Sequence, residues 1–198
     1  PLSWTRDAYW QARMLLSTWS RGGHNEDEQI VADHLRWLFL RCERPDGRWV
    51  RSHHADGRPK DRPVQADQQM YPLLELADYA RVTGRLPQLP PEENWSDLVG
   101  DAWEVNLQLV DVDLGLVATE ENPADDVPAN PYLLSDQVLL WQGTRALVFL
   151  RRIAATEERP AARQLCDANF VGWAPIRSAS SRIVAASTPV TCSARSGV

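Results

Sequence analysis

The chain is nearly without lysine: Lys60 is the only one, and every other strongly basic residue is arginine. With no lysine cluster and a formal net charge of −6, it lacks the positive surface that a phosphate backbone or an anionic membrane requires, so neither nucleic acid nor membrane is expected as a partner. Cysteine is also scarce. Cys42, Cys166 and Cys192 are widely spaced and form no C-x-x-C pair, which suggests neither a disulfide framework nor a structural zinc site and suits a reducing, cytoplasmic setting. No apolar run is long enough to cross a bilayer, and no basic and apolar leader opens the chain. It begins at Pro1 without an initiator methionine, so upstream residues are expected to have been lost. Phenylalanine and tyrosine number three and four, against nine tryptophans in 198 residues. Tryptophan serves cores, and it also serves carbohydrate sites, where its broad face stacks on a pyranose while its N–H still donates. Composition leaves both uses open. What remains, 43% hydrophobic and 24% charged residues, is ordinary for a soluble globular domain.

Helical periodicity dominates and strand signals are few, so the reading is all-α. It predicts a first helix from about Thr5 to Trp19, with Trp10, Met14 and Leu15 at helical spacing, stopping at Gly22-Gly23. A second opens at Asn25 as a capping residue, with Glu28 reaching back three residues later, and carries Ile30, Val31, His34, Leu35 and Leu38. A third runs from about Asp67 to Val82 and ends at Gly84; a fourth spans about 95–109. The fifth, about 132–153, is the most apolar, with Val138, Leu139, Trp141, Ala146, Leu147 and Leu150, and a weaker sixth covers about 157–169. No fixed-period repeat is visible. Residues 1–170 read as one domain and 171–198 as an irregular tail. From 174 onward there is no Asp or Glu, six serines and no sustained apolar period, which suggests either a linker or a stretch read out of frame.

Successive helices joined by short loops pack antiparallel and deliver alternate loops to opposite ends. The segments at about 20–25, 84–94 and 154–156 are the shorter set. The approach to the first helix, the stretch 44–66 and the stretch 111–131 are long or rich in Trp, Arg, His, Asp and Glu, and all three belong to the other end. Loops longer than about 12–15 residues within a domain are usually functional, so this end is the predicted site; otherwise the loops only decorate the surface.

Each loop carries residues with chemistry. Trp4-Thr5-Arg6-Asp7 sets an aromatic platform, a forked donor and an acceptor carboxylate at a helix start, groups that clamp vicinal hydroxyls. A plain helix N-terminus, with Asp7 favoured by the dipole and Arg6 solvated, fits equally well. Gln65 and Asp67 open the third helix in the segment Arg62-Pro63-Val64-Gln65-Ala66-Asp67, where capping is the simpler reading and hydroxyl binding the functional one. Glu120 and Glu121 are adjacent in Gly115-Leu116-Val117-Ala118-Thr119-Glu120-Glu121-Asn122. Glycoside hydrolysis needs one carboxylic acid and one carboxylate, and neighbouring like charges favour keeping a proton, although paired glutamates are also common in solvated loops. His53, His54 and Asp56 lack a convincing third metal ligand, so loop hydrogen bonding is expected there. Asp125-Asp126 has no further aspartate one turn on, and Pro128 and Pro131 break any helix, which argues against a helical magnesium motif.

Together the three segments resemble the W-T-R-D, R-P-Q-x-D and G-x-x-x-W-E-E segments of glucoamylases, in the same order. Ser52 to Lys60 and Thr119 to Asp126 further resemble bacterial debranching-type relatives in the six-hairpin glycoside hydrolase superfamily. The resemblance covers roughly residues 1–150. It implies the N-terminal half of a glucoamylase or amylo-1,6-glucosidase catalytic domain, an incomplete α/α toroid of about three of six helical hairpins. It implies an inverting mechanism on terminal α-glucosidic bonds of α-glucans or oligosaccharides, with no metal or cofactor. By residue-for-residue match, Trp4, Arg6, Asp7, Gln65 and Asp67 would bind the terminal sugar, Glu120 would be the general acid and Glu121 would assist in binding. Three departures stand out: Thr119 occupies the place of the tryptophan before the acid, the second segment has an extra residue between Pro63 and Gln65, and the family's general base is not found. The chain alone is therefore expected to be inactive. The alternatives are a non-catalytic sugar-binding or unstable helical fragment, self-associating through exposed apolar faces, and another toroid enzyme such as a phosphorylase or epimerase.

Overall fold

Five α-helices carry the fold in the computed structural model, which describes residues 2–60 and 62–157. α1, Thr5–Trp19, buries Thr5, Tyr9, Ala12 and Leu16, the i, i+4, i+7, i+11 face. Trp10 and Met14 are exposed, contrary to the expected core face. The helix has apolar residues on two faces, and the one that turns inward sets the Tyr9 ring against Tyr71, centroids 5.1 Å apart.

α2, Asn25–Leu40, begins where expected but without the expected capping box: His24 is its N-cap and no side chain caps it. Glu28 is taken instead by the Tyr79 hydroxyl and by Arg85 Nη2. Ile30 is exposed, while Val31, Leu35 and Leu38 are buried. α3, Ala66–Thr83, is the central helix, buried on nearly all sides, and it ends at Gly84, whose φ of +74° suits a left-handed cap. α4, Trp95–Leu107, is capped by Asn94 Oδ1, which accepts the Asp97 N–H at 2.8 Å. α5, Leu134–Glu157, buries Ala146, Leu147, Leu150 and Ala154 but exposes Val138 and Trp141. The expected sixth helix, beyond Glu157, and the tail lie outside the described residues.

α3 packs between α1 and α5, α2 lies against α1 and α3, and α4 against α3 and α5. The helices thus form two layers around one core, with α1, α3 and α5 in a row. Two small antiparallel pairs complete the fold. β1, Leu2–Trp4, pairs with β2, Ser52–His54, in the register Leu2↔His54, Ser3↔His53, Trp4↔Ser52. β3, Val110–Asp111, pairs with β4, Leu116–Val117. Among the described residues no helix is long and apolar enough to cross a membrane.

Candidate functional site

The N-termini of α1 and α3 meet at one end, and the three long or chemically rich segments cover them. The stretch before α3 is fastened from below by Trp49, which is 1% exposed and donates from its indole N–H to the Leu38 carbonyl at 3.0 Å. Gln69 on α3 accepts the Trp49 backbone N–H at 2.9 Å and donates to its carbonyl at 2.6 Å, so one side chain satisfies both polar groups of a buried peptide. β1 docks on β2, and the Thr5 N–H reaches the Arg51 carbonyl at 3.2 Å, which places Trp4 at the start of α1.

A relay of amides then joins the segments. The Arg6 N–H donates to Gln68 Oε1 at 3.0 Å, Gln68 Nε2 to Gln65 Oε1 at 3.1 Å, and Gln65 Nε2 to the Asn122 carbonyl at 3.0 Å and to Asp125 Oδ1 at 2.7 Å. Gln65 and Gln68 are fully buried, so their bonds replace water that cannot reach them. Glu120 is clipped to the chain before α3: its N–H donates to the Val64 carbonyl at 3.1 Å, and its Oε2 accepts the Val64 N–H at 3.0 Å. Its carboxyl is exposed. Thr119 explains its own presence where a tryptophan was expected. Its Oγ1 accepts the Ala66 N–H at 3.0 Å, satisfying the first helical donor of α3, and donates to the Glu121 carbonyl at 2.7 Å.

The charged groups bond across elements. Arg6 Nη1 lies 2.8 Å from Asp67 Oδ2, and Arg6 Nη2 donates to the Pro123 carbonyl at 3.0 Å. Arg51 Nη1 lies 3.0 Å from Glu121 Oε2 and 3.1 Å from Asp125 Oδ1. The half-buried Trp4 ring has the Lys60 ammonium 5.1 Å from its centroid, within cation–π range. Of the residues singled out in sequence, Trp4, Arg6, Gln65, Asp67, Glu120 and Glu121 therefore share one end. Asp7 is exposed in the first turn of α1, and the carboxylate that pairs with Arg6 is Asp67 rather than Asp7. Gln65 is the N-cap of α3 by backbone position but makes no side-chain cap, and the Thr119 hydroxyl accepts the Ala66 N–H in its place.

Burial pushes Asp67 above the ordinary aspartate range, against the opposing pull of the Arg6 charge. Burial, then the Asp67 charge, lifts Asp136 on α5 to about 6. Tyr71, one turn along from Asp67, is raised to about 12 by burial and then by Asp67. Arg51, Gln68, Asp125 and Asp136 were not predicted as site residues. Arg51 pairs with residues far along the chain, and Asp136 reads in sequence as an ordinary acid in a helix's first turn.

Elsewhere, His53 Nε2 is bonded to the Glu43 carbonyl at 3.1 Å, and Arg58 Nε donates to Asp56 at 2.8 Å, the loop hydrogen bonding expected there. No group of three or more His, Cys, Asp or Glu residues able to hold a metal ion occurs among the described residues. An open groove of about 370 Å³ lies at the opposite end, lined by Glu28, Arg36, Tyr79, Arg85 and Gln88. Its charged groups bond among themselves and to neighbours: Glu28 to Tyr79 and Arg85, and Arg36 to Asp33 and the Gln88 carbonyl. The loop end is the better candidate, since Glu120, Glu121 and Asp125 there set three carboxyls at or near the surface, with Arg51 bonded to Glu121 and Asp125. Such a surface accepts more hydrogen bonds than it donates and suits a ligand rich in hydroxyls. Comparison with family models, with curated proteins and with solved structures finds no match in any of the three.

Proposed function

We propose that the loop end binds carbohydrate, and that the chain is the first part of an inverting exo-acting glucosidase of the glucoamylase or amylo-1,6-glucosidase kind. The observation that carries this reading is the mutual bonding of three segments far apart in sequence. Arg6 holds Asp67, Gln65 holds Asn122 and Asp125, and Val64 exchanges two hydrogen bonds with Glu120. Their chemistry suits a sugar: an aromatic face at Trp4, forked donors at Arg6 and Arg51, and carboxylate acceptors around them. The row of α1, α3 and α5 backed by α2 and α4 is how helical hairpins succeed one another in an α/α toroid, and it supports that architecture.

In this mechanism Glu120, exposed and held by the Val64 N–H, protonates the glycosidic oxygen while water attacks the opposite face of the sugar. That attack needs a second carboxylate about 6.5–9.5 Å away, supplied by a later part of the parent enzyme. The reaction runs on carboxyl groups and needs no cofactor.

Malto- and isomalto-oligosaccharides titrated into the chain should bind, read by tryptophan fluorescence, and Trp4→Ala should weaken that binding by tenfold or more. In a parent enzyme with both carboxylates, Glu120→Gln should lower glucose release by about 10²–10⁴-fold while leaving binding within a few-fold. Unchanged release would remove Glu120 as the acid, absence of binding would remove the carbohydrate reading, and a sugar phosphate as product would point to a phosphorylase.

A second reading is a helical domain that binds sugar without cleaving it. It keeps the same sugar-binding groups and differs in having no second carboxylate to activate water.

A further inference from the structure

The groove opposite the loop end lies between α2, the last turns of α3 and the segment after α3, opens to solvent and holds about 370 Å³. That is the size of a small-molecule site. The fully buried Tyr79 closes its floor, and Leu89 gives it one apolar side. The wall after α3 is fixed by the fold. Gly84 turns the chain out of the helix, Leu86 is buried, and the Trp95 indole N–H donates to the Pro87 carbonyl at 2.7 Å, so Arg85 stands on an anchored stretch. From α2, Arg36 Nη1 reaches across to the Gln88 carbonyl at 3.3 Å.

The walls set two guanidiniums, Arg36 and Arg85, against one carboxylate, Glu28. Asp33, which also pairs with Arg36, is 61% exposed and does not line the groove. Among the described residues, Arg36 commits two of a guanidinium's five N–H groups, to Asp33 and to the Gln88 carbonyl, and Arg85 commits one, to Glu28 Oε1 at 3.1 Å. Both arginines are thus held in place with most of their donors open. Glu28 is used on one oxygen: Oε1 takes the Tyr79 hydroxyl and Arg85 Nη2, and Oε2 takes neither. The groove therefore offers surplus positive charge, two planar forks of donors and one acceptor oxygen, in a chain whose own net charge is −6.

We propose that this groove is a second binding site, for a small oxyanion-bearing molecule whose carboxylate or phosphate is received by Arg36 and Arg85 and whose hydroxyl donates to Glu28. Planar guanidinium forks match the paired oxygens of such a group. A neutral sugar, the ligand proposed for the loop end, leaves the surplus charge unanswered, so the two sites take different molecules. The groove site stands whether or not the loop end binds carbohydrate.

The test is calorimetric titration of the whole chain with inorganic phosphate, glucose 6-phosphate and gluconate, and with maltotriose as the neutral control. At least one of the three anions should bind one to one, and raising sodium chloride from about 50 to about 500 mM should weaken it by tenfold or more, because salt screens a site that is open to solvent. Tighter binding of glucose 6-phosphate identifies the anionic group as phosphate, and tighter binding of gluconate identifies it as carboxylate. Arg85→Gln should weaken the anion by tenfold or more. Since Arg85 also bonds Glu28, a second variant leaves every ion pair of the groove in place: Gln29→Trp, at an exposed lining position, narrows the opening and should weaken the anion by tenfold or more with helical circular dichroism unchanged. No heat from any of the three anions would overturn the proposal, as would binding that both variants leave within twofold of the native chain. Maltotriose acts through the loop end: its titration should be unchanged in Gln29→Trp, and anion binding without maltotriose binding would sustain the groove site and overturn the carbohydrate reading.

Discussion

His34 shows how a single residue on an apolar helix face is accommodated. Its Nδ1 lies 2.7 Å from Glu75 Oε1, and Glu75 is 1% exposed. The ring stacks on Trp37 at 5.6 Å, a surface that favours a cation. Burial alone would push the imidazole down, but the Glu75 charge and hydrogen bond outweigh it, and the net shift is upward. A histidine raised in the folded state contributes stability that is complete below its unfolded value, near 6.5, and is lost as pH rises through the folded value. His34→Ala should therefore cost about 3–5 kcal/mol at pH 6, since it strands a buried carboxylate, and less as the pH rises beyond the folded value. Chemical unfolding at pH 6 and pH 9 checks this. A penalty that grew with pH would refute the assignment.

At the scale of elements, the loop between α2 and α3 depends on backbone that only glycine supplies easily. Gly57 has φ of +91°, and a Cβ there would lie 2.2 Å from the Arg41 carbonyl oxygen. Its carbonyl accepts the Glu43 N–H at 2.9 Å and its N–H donates to His54, so it ties the end of α2 to β2. Gly57→Ala should destabilise by about 2–3 kcal/mol and disturb the β1–β2 pair that seats Trp4. Gly100 is the control: it sits within α4 with nothing near its missing Cβ, so Gly100→Ala should stabilise by about 0.5–1 kcal/mol. Denaturant midpoints of the two variants should move in opposite directions. These elements also mark how far the sequence could be read. The span of α1 follows from its period and its glycine stop, and the convergence of the three segments follows from loop parity. The inward face does not follow: apolar residues at Trp10, Ile30 and Trp141 keep helical period yet are exposed, because period reports a helix and not which of two apolar faces finds a partner. Arg51 and Asp136 stayed illegible for a related reason. Their roles come from residues on other elements, Glu121 and Asp125 for one and Asp67 for the other, and no local pattern marks such pairs.

For the molecule as a whole, the same exposed residues become the main feature. On α5, Leu134, Val138, Trp141 and Val148 are all exposed, and with Arg145, whose guanidinium lies 4.8 Å over the Trp141 ring, they follow alternating four- and three-residue steps. That is the spacing of a seam made for another helix, and Trp10 and Met14 on α1 add a shorter exposed pair. Apolar surface gathered in this way favours association, because covering it removes its contact with water at about 25 cal/mol per Å². The chain should therefore sediment with a concentration-dependent mass between micromolar and millimolar protein. Trp141→Glu combined with Val138→Lys should give a monomer with unchanged helical circular dichroism and undiminished cooperativity of unfolding, since neither side chain belongs to the buried core. A native chain that stays monomeric across that range would show that its stripe needs no second copy. If instead the charged variant lost helicity, α5 would owe its stability to these residues, and the seam would be part of the fold rather than a surface for association.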